Sequence, residues 1–327
     1  MGALSDRFGR VHDDLRLSIT DRCNLRCVYC MDDDVRFRPR EELLSVEEIG
    51  RIAKVARSLG VRSVRVTGGE PLVRKEVVEI VATLAEMGFE DLSLTTNGTR
   101  LARLAAPLVA AGLQRVNISC DSLRADRFPE IRRRGRLEEV LGAMEAAEAA
   151  GLVPLKVNVV LARGVNDDEI LDFAEFARTQ GRIVRFIELM PLDSAGAWRR
   201  DQVVASDEVI ATIARRYPLE PVHVPGDPAP AERYRFVDGA GEIGVIATVT
   251  RPFCGTCNRL RVTADGAVRN CLFSDEERSL RDLIRAGADD RALVGALLGS
   301  LADKRAGHGI DEPGFLRPRR SMSMIGG

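Results

Sequence analysis

Aromatic side chains are scarce in this chain. One Trp, three Tyr and 11 Phe make up 5% of its 327 residues, too few for a platform that stacks nucleic-acid bases. Neither sign of charge prevails: 48 Lys plus Arg face 49 Asp plus Glu, a formal net charge of −1. Without a global basic field, a polyanion has to be gripped by local groups, and no nucleic-acid partner is expected. No apolar run approaches the roughly 18 residues of a membrane-spanning helix, so no membrane partner is expected either. The opening stretch, MGALSDRFGRVHDD, lacks the apolar core of a secretory leader, and a cytoplasmic protein is expected. A disulfide framework is excluded too. The seven cysteines are odd in number, and six fall into two tight groups, Cys23/Cys27/Cys30 and Cys254/Cys257/Cys271. Disulfide scaffolds pair even numbers in short secreted chains. Cys120 is left over; it follows the apolar stretch Val116-Asn117-Ile118-Ser119 and reads as a small core thiol.

What is present is a rhythm. From about residue 15 to 190, short β-branched segments alternate with amphipathic helical patterns. Strands are expected at 15–19, 63–67, 91–95, 115–119, 155–161 and 183–188. Helices are expected near 46–59, 77–87, 101–111, 137–150 and 168–178, and a glycine follows each. Ser45 and Glu48 form a capping box at the first helix. Such alternation makes the fold class α/β, with a parallel sheet and helical crossovers. Six units imply a partial (β/α)6 barrel rather than a full eight-fold one. The composition changes near residue 220, where 221–230 is a Pro-rich, extended linker. Two domains are therefore expected, 1–220 and a smaller α+β region at 221–327. In the second, strands are expected at 234–237, 243–250, 259–263 and 267–272, the last two joined by a two-residue Asp265-Gly266 hairpin turn. Helices follow near 280–286 and 292–305, and the tail, ending Ser321-Met322-Ser323-Met324-Ile325-Gly326-Gly327, is disordered by composition.

Cys23, Cys27 and Cys30 make a C-x3-C-x2-C run on the loop after the first strand, the end where parallel α/β folds build active sites. Three thiolates so close cap three irons of a 4Fe-4S cube and leave one iron open, an arrangement for catalysis. The competing arrangement is a zinc ion with a remote fourth ligand, for which the chain's three histidines offer few candidates. Cys254, Cys257 and Cys271 form C-x2-C-x13-C, and the hairpin folds Cys271 back toward the pair. Three thiolates again lack an obvious fourth partner, so this group is a second cluster or a structural zinc site.

The first run, with Tyr29 before its last cysteine, resembles the radical S-adenosylmethionine (SAM) superfamily motif. Thr67-Gly68-Gly69-Glu70-Pro71, at the end of the second strand, is similar to the segment that meets the methionine part of SAM there. Glycines permit close backbone approach, and a carboxylate suits a ligand ammonium. Across nearly the whole chain the sequence resembles the GTP 3′,8-cyclase (MoaA) family of molybdenum cofactor biosynthesis. The resemblance runs through residues 14–24, Thr95-Thr96-Asn97-Gly98, Val157-Asn158-Val159-Val160, 185–190, 254–261 and the terminal Gly326-Gly327.

The resemblance implies two 4Fe-4S clusters, one on Cys23, Cys27 and Cys30 and one on Cys254, Cys257 and Cys271. It implies a reaction in which SAM gives a 5′-deoxyadenosyl radical that removes H3′ of GTP. The C3′ radical then attacks C8, forming (8S)-3′,8-cyclo-7,8-dihydroguanosine 5′-triphosphate, with the guanine held at the second cluster. Tyr29, Gly69, Ser119 and Met190 match SAM contacts. Arg16, Arg65, Thr95, Lys156, Arg259 and Arg261 match GTP contacts, with Arg185 a further member, and cationic side chains on strands suit a triphosphate. Arg16, Arg259, Arg261, Gly326 and Gly327 match catalytic positions, the last two on a tail that enters the site. The family further implies a homodimer, a flavodoxin- or ferredoxin-type reductant, and a cyclic pyranopterin monophosphate synthase that takes the product. His12 and His308 match no assigned role. Two other readings account for part of the sequence. One is a radical SAM peptide maturase, a class usually richer in C-terminal cysteines. The other is a non-catalytic iron–sulfur sensor, which has no use for residues 67–71 or for strand-borne cations.

Overall fold

The computed structural model describes residues 3–224, 228–239 and 241–327. Six strands appear where the alternation places them: β1 (Asp14–Ser18), β2 (Ser63–Thr67), β3 (Asp91–Thr96), β4 (Arg115–Ser119), β5 (Lys156–Leu161) and β6 (Ile183–Glu188). They pair parallel in sequence order. The crossovers are α1 (Val46–Ser58), α2 (Val77–Ala85), α3 (Leu101–Ala110), α4 (Arg127–Arg132) with α5 (Leu137–Ala149), and α6 (Ile170–Gln180). At α1 the expected capping box forms: the Ser45 hydroxyl accepts from the Glu48 amide at 3.2 Å, and the Glu48 carboxylate accepts from the Ser45 amide at 2.8 Å.

The strands have two unlike faces. On β5, Val157, Val159 and Leu161 are buried against the helices, while Lys156, Asn158 and Val160 are half-buried on the other face. A parallel sheet packed on both faces is apolar throughout. Here the inner face carries Arg16, Arg65, Ser93, Asn117 and Asn158 instead, so the interior is a chamber and the main core lies between sheet and helices.

The C-terminal region extends this sheet from both edges. The remaining strands are β7 (Leu219–Val222), β8 (Glu232–Phe236), β9 (Glu242–Ile246), β10 (Arg259–Val262), β11 (Ala267–Arg269) and β12 (Arg278–Ser279). β9 pairs parallel with β6 and β10 parallel with β1, giving one sheet in the order β12-β11-β10-β1-β2-β3-β4-β5-β6-β9-β8-β7. The further helices are α7 (Ser206–Ala214), α8 (Leu280–Arg285), α9 (Asp290–Ala302) and α10 (Met322–Ile325).

Three local expectations are corrected. Pro221 and Val222, placed in a linker, belong to β7, an outermost strand where proline's missing N–H costs no ladder bond; Pro225, Gly226 and Asp227 of that linker lie outside the described residues. The hairpin turn takes Ala264, Asp265 and Gly266 rather than two residues, because Thr263 pairs with Ala267 (amide to carbonyl, 2.9 Å). The tail is folded: Ser321, Ser323, Ile325 and Gly326 are buried.

Candidate functional site

The loop after β1 carries the first cysteine group. Its backbone is fixed from two sides. The amides of Arg26 and Val28 donate to Arg132 and Ile131 at the end of α4 (3.1 and 3.0 Å), and the carbonyls of Thr20 and Arg22 accept from Gly69 and Glu70 after β2 (2.7 and 2.8 Å). A Cβ on Gly69 would lie 2.6 Å from the carbonyl oxygens of both Asp21 and Arg22. The glycine thus admits the cysteine loop itself to close approach, a function that the expectation of a ligand contact had not foreseen. The Glu70 carboxylate is buried on the cavity lining and accepts from Leu72 N, Thr96 Oγ1 and Asn97 N at 3.0, 2.7 and 2.6 Å, so it braces the loop to β3.

One cavity of about 320 Å³ opens at this end of the sheet. All six cysteines of the two groups line it. So do Arg16, Tyr29, Arg65, Gly69, Thr95, Ser119, Arg185, Met190, Arg259, Arg261 and Gly327. Lys156 lies outside this lining, at the start of β5, with Arg185, Arg115 and Arg65 as its charged neighbours. Gly326 lies behind the wall, wedged where a Cβ would stand 2.6 Å from Thr67 Oγ1 and 2.7 Å from Ser18 Cβ, and its carbonyl accepts from Arg261 at 2.8 Å. The tail is anchored by Arg320, which donates to both Asp265 oxygens (2.8 and 3.0 Å) and to Glu277 (2.6 Å).

The chamber wall is cationic to an unusual degree. Register places Arg261, Arg16 and Arg65 side by side on β10, β1 and β2. Arg16 reaches Asp14 at 2.7 Å, but its Nε and one Arg259 terminal nitrogen are buried without a hydrogen-bond partner among the described residues. Burial, then the charge of Arg16, holds Arg261 down at about 9. Burial, then Arg115 and Arg16, holds Arg185 down at about 10, and burial and neighbouring arginines depress Arg65 further. Buried like charges are costly unless an anion answers them. A polyanion is the kind of ligand such a set can answer.

The thiols behave as metal ligands in waiting. Burial pushes Cys23 up to about 12 and raises Cys27 and Cys30 too, so they are protonated unless a metal claims them. Donors face the sulfurs: Leu25 N and Asn97 Nδ2 stand 3.4 and 3.8 Å from Cys23, and Arg132 is 3.7 Å from Cys27. Among the described residues, no three His, Cys, Asp or Glu side chains converge as they would on a single ion. An iron–sulfur cube takes one thiolate per iron and does not ask for that convergence. The donor set fits such a cluster at each group. Asn158 Oδ1, buried on the cavity wall with no partner among the described residues, is an acceptor that a bound ligand could use.

Arg132, Asp121 and Lys304 carry no signal in the sequence that marks them as parts of the site. Asp121 accepts from the Tyr29 hydroxyl at 2.6 Å, pairs with Arg132 at 2.9 Å and so ties the cysteine loop to β4. Arg132 sits in the run Arg132-Arg133-Arg134, whose basic pattern signals an exposed face, and only packing reveals that its first member turns inward. His308 lines the cavity; its Nε2 bonds Thr248 O at 2.9 Å and its ring lies 4.8 Å from that of Phe273. Cys120 is buried, as expected of a core thiol.

Two family models cover the chain. The radical SAM superfamily matches residues 17–177, and Molybdenum Cofactor Synthesis C matches residues 182–310. GTP 3′,8-cyclase of Corynebacterium glutamicum is 46% identical, spanning 99% of this chain and 89% of its own. The protein of that name from Mycobacterium ulcerans is 47% identical, over 100% and 92% of the two chains. Among solved structures, Streptococcus suis SuiB bound to S-adenosylmethionine superposes with a TM-score of 0.63 at 13% identity, covering 88% of this chain and 68% of that one; at that identity the likeness is one of fold. With both halves matched and full-length relatives this close, the chain belongs to the GTP 3′,8-cyclase family of radical SAM enzymes.

Proposed function

We propose that the protein converts GTP to (8S)-3′,8-cyclo-7,8-dihydroguanosine 5′-triphosphate, the first step of molybdenum cofactor biosynthesis. The observation that carries the reading is the single cavity in which two cysteine triads face a wall of buried cations. As a radical SAM enzyme of this family the protein works with SAM and two 4Fe-4S clusters, held on this reading by Cys23, Cys27 and Cys30 and by Cys254, Cys257 and Cys271. When bound, the first cluster and SAM supply a 5′-deoxyadenosyl radical for hydrogen abstraction. The chain's own residues bind and orient. Tyr29, Gly69, Ser119 and Met190 line the part of the wall assigned to SAM. Arg16, Arg65, Thr95, Lys156, Arg259 and Arg261 are assigned to GTP, Arg185 joining them. The triphosphate adds negative charge to a wall where Asp14 offsets only part of the buried positive charge. Gly326 and Gly327, with the tail before them, close the chamber and help exclude water from reactive intermediates.

Residues 1–220 on this reading form the radical-generating barrel, and residues 221–327 supply the second cluster and the tail. Among the described residues no helix is long and apolar enough to cross a membrane, and we place the protein in the cytoplasm. We further propose that it works as a homodimer, takes electrons from a flavodoxin- or ferredoxin-type protein and passes its product to a cyclic pyranopterin monophosphate synthase.

The test is an anaerobic turnover of the reconstituted protein with dithionite, SAM and GTP deuterated at C3′. Deuterium in the 5′-deoxyadenosine, together with a cyclised nucleotide, is the expected result. Unlabelled 5′-deoxyadenosine with GTP returned intact would sink the substrate assignment while leaving the radical chemistry standing.

A further inference from the structure

Lys304 follows α9 and is 3% exposed, yet it does not line the cavity. Its ammonium stands 3.7 Å from Cys257 Sγ and 3.4 Å from the carbonyl of Arg259, and donates to the carbonyl of Asn270. Those partners lie on two segments. Cys257 and Arg259 belong to the stretch that carries the C-x2-C pair and enters β10, and Asn270 directly precedes Cys271. One ammonium therefore ties together both pieces of chain that present the second triad. Arg10 grips the same region from outside, donating to the carbonyls of Cys254, Arg305 and Ala306 at 2.7, 2.7 and 2.9 Å.

The partners of Lys304 are a sulfur and two carbonyls, and none of them is a carboxylate. A buried ammonium needs a counter-charge, and the Cys257 sulfur in its thiolate form, 3.7 Å away, can supply it. That form is guaranteed when the thiol is a metal ligand.

We propose that Lys304 is a positioning residue of the second cluster, one that holds the triad's two segments in register and sets the cluster's reduction potential from behind. The inference rests on the reading that Cys254, Cys257 and Cys271 hold an iron–sulfur cluster. A cation hydrogen-bonded to a ligand sulfur favours the more negative, reduced state, so it raises the potential. No bond to carbon or hydrogen changes; the cluster gains an electron from the reductant, and the fixed positive charge offsets it.

The experiment uses the full chain with Cys23, Cys27 and Cys30 replaced by Ala, so that only the second triad loads. After anaerobic reconstitution, iron content and the midpoint potential followed by electron paramagnetic resonance are compared for this parent and its Lys304→Arg, Lys304→Gln and Lys304→Met forms. Lys304→Gln keeps an N–H donor for the two carbonyls and guards against simple misfolding, which circular dichroism monitors. The expected order is a midpoint near that of the parent for Lys304→Arg and a distinctly lower one for Lys304→Gln and Lys304→Met, with iron lost most readily from the last. A folded, cluster-loaded Lys304→Gln form titrating at the parent's potential overturns the inference and leaves the cluster reading intact. A folded parent that takes up no cluster overturns the cluster reading, and the inference with it.

Discussion

If Lys156 meets GTP as proposed, its titration reports on that binding. Burial, then the charges of Arg185, Arg115 and Arg65, push it down to about 7, whereas an unfolded chain's lysine titrates at about 10.4. Below pH 7 both states carry the proton and the penalty of a buried charge is complete. As pH rises from 7 towards 10.4 the folded state is neutral and the unfolded state still protonated, so this group's contribution to stability improves. Binding of a triphosphate works the other way, drawing the proton back. GTP affinity is therefore expected to fall above pH 7, by at most about tenfold per pH unit, and Lys156→Met to flatten that slope. Calorimetry in buffers of different ionisation heat measures the proton uptake; none in the unsubstituted protein would overturn the proposed assignment of Lys156 to GTP. Gly69 gives a second prediction. A methyl group there meets two backbone carbonyls at 2.6 Å, and the cysteine loop must shift. Displacements near 1 Å cost about 100-fold in rate, so Gly69→Ala should cut 5′-deoxyadenosine formation on that scale, and turnover within threefold of the parent would show that the loop yields freely.

The tail is held less by its own helix than by Arg320. A helix the length of Met322–Ile325 has no stability in isolation, and the guanidinium that joins the tail to Asp265 and Glu277 supplies the anchor. Arg320→Ala is expected to leave the sheet intact while amide exchange at 321–327 rises at least tenfold by mass spectrometry; unchanged protection would mean that Gly326, between β1 and β2, suffices alone. At α1, Ser45→Ala removes a cap worth about 1 kcal/mol, and thermal unfolding should register a drop of about 1–2 °C. These two elements also mark what was legible beforehand. The cap, the six strands and the cysteine groups are visible because they obey local rules of spacing, alternation and side-chain chemistry. The tail is not, since Ser-Met-Ser-Met folds only on a surface built by residues far away in sequence. α4 escaped for the same reason: the run of arginines that starts at its last residue reads as exposed, and Arg132 is drawn inward by Asp121 and the Cys27 sulfur. The cation wall was legible residue by residue, but its depressed proton affinities come from neighbours across the sheet.

The whole sheet depends on its last third. β10 covers the open edge of β1 and β9 that of β6, so a chain cut after residue 220 exposes two parallel edges and the apolar surface beneath α8 and α9. Unsatisfied edges of this kind pair with other molecules, and such a truncated chain is expected to elute as aggregate on size exclusion; a monomeric, cooperatively unfolding fragment would show the barrel to be self-sufficient. The same topology sets an order of events during synthesis. Leu17 of β1 waits for Val262 as its neighbour, at a synthesis rate of about 5–20 residues per second. For that interval, of the order of tens of seconds, the first cysteine group is already outside the ribosome on an unfinished sheet, while the second has yet to be made. The two triads therefore come into being at different moments, and the first stands open to oxidants and stray metal ions far longer before its chamber has walls.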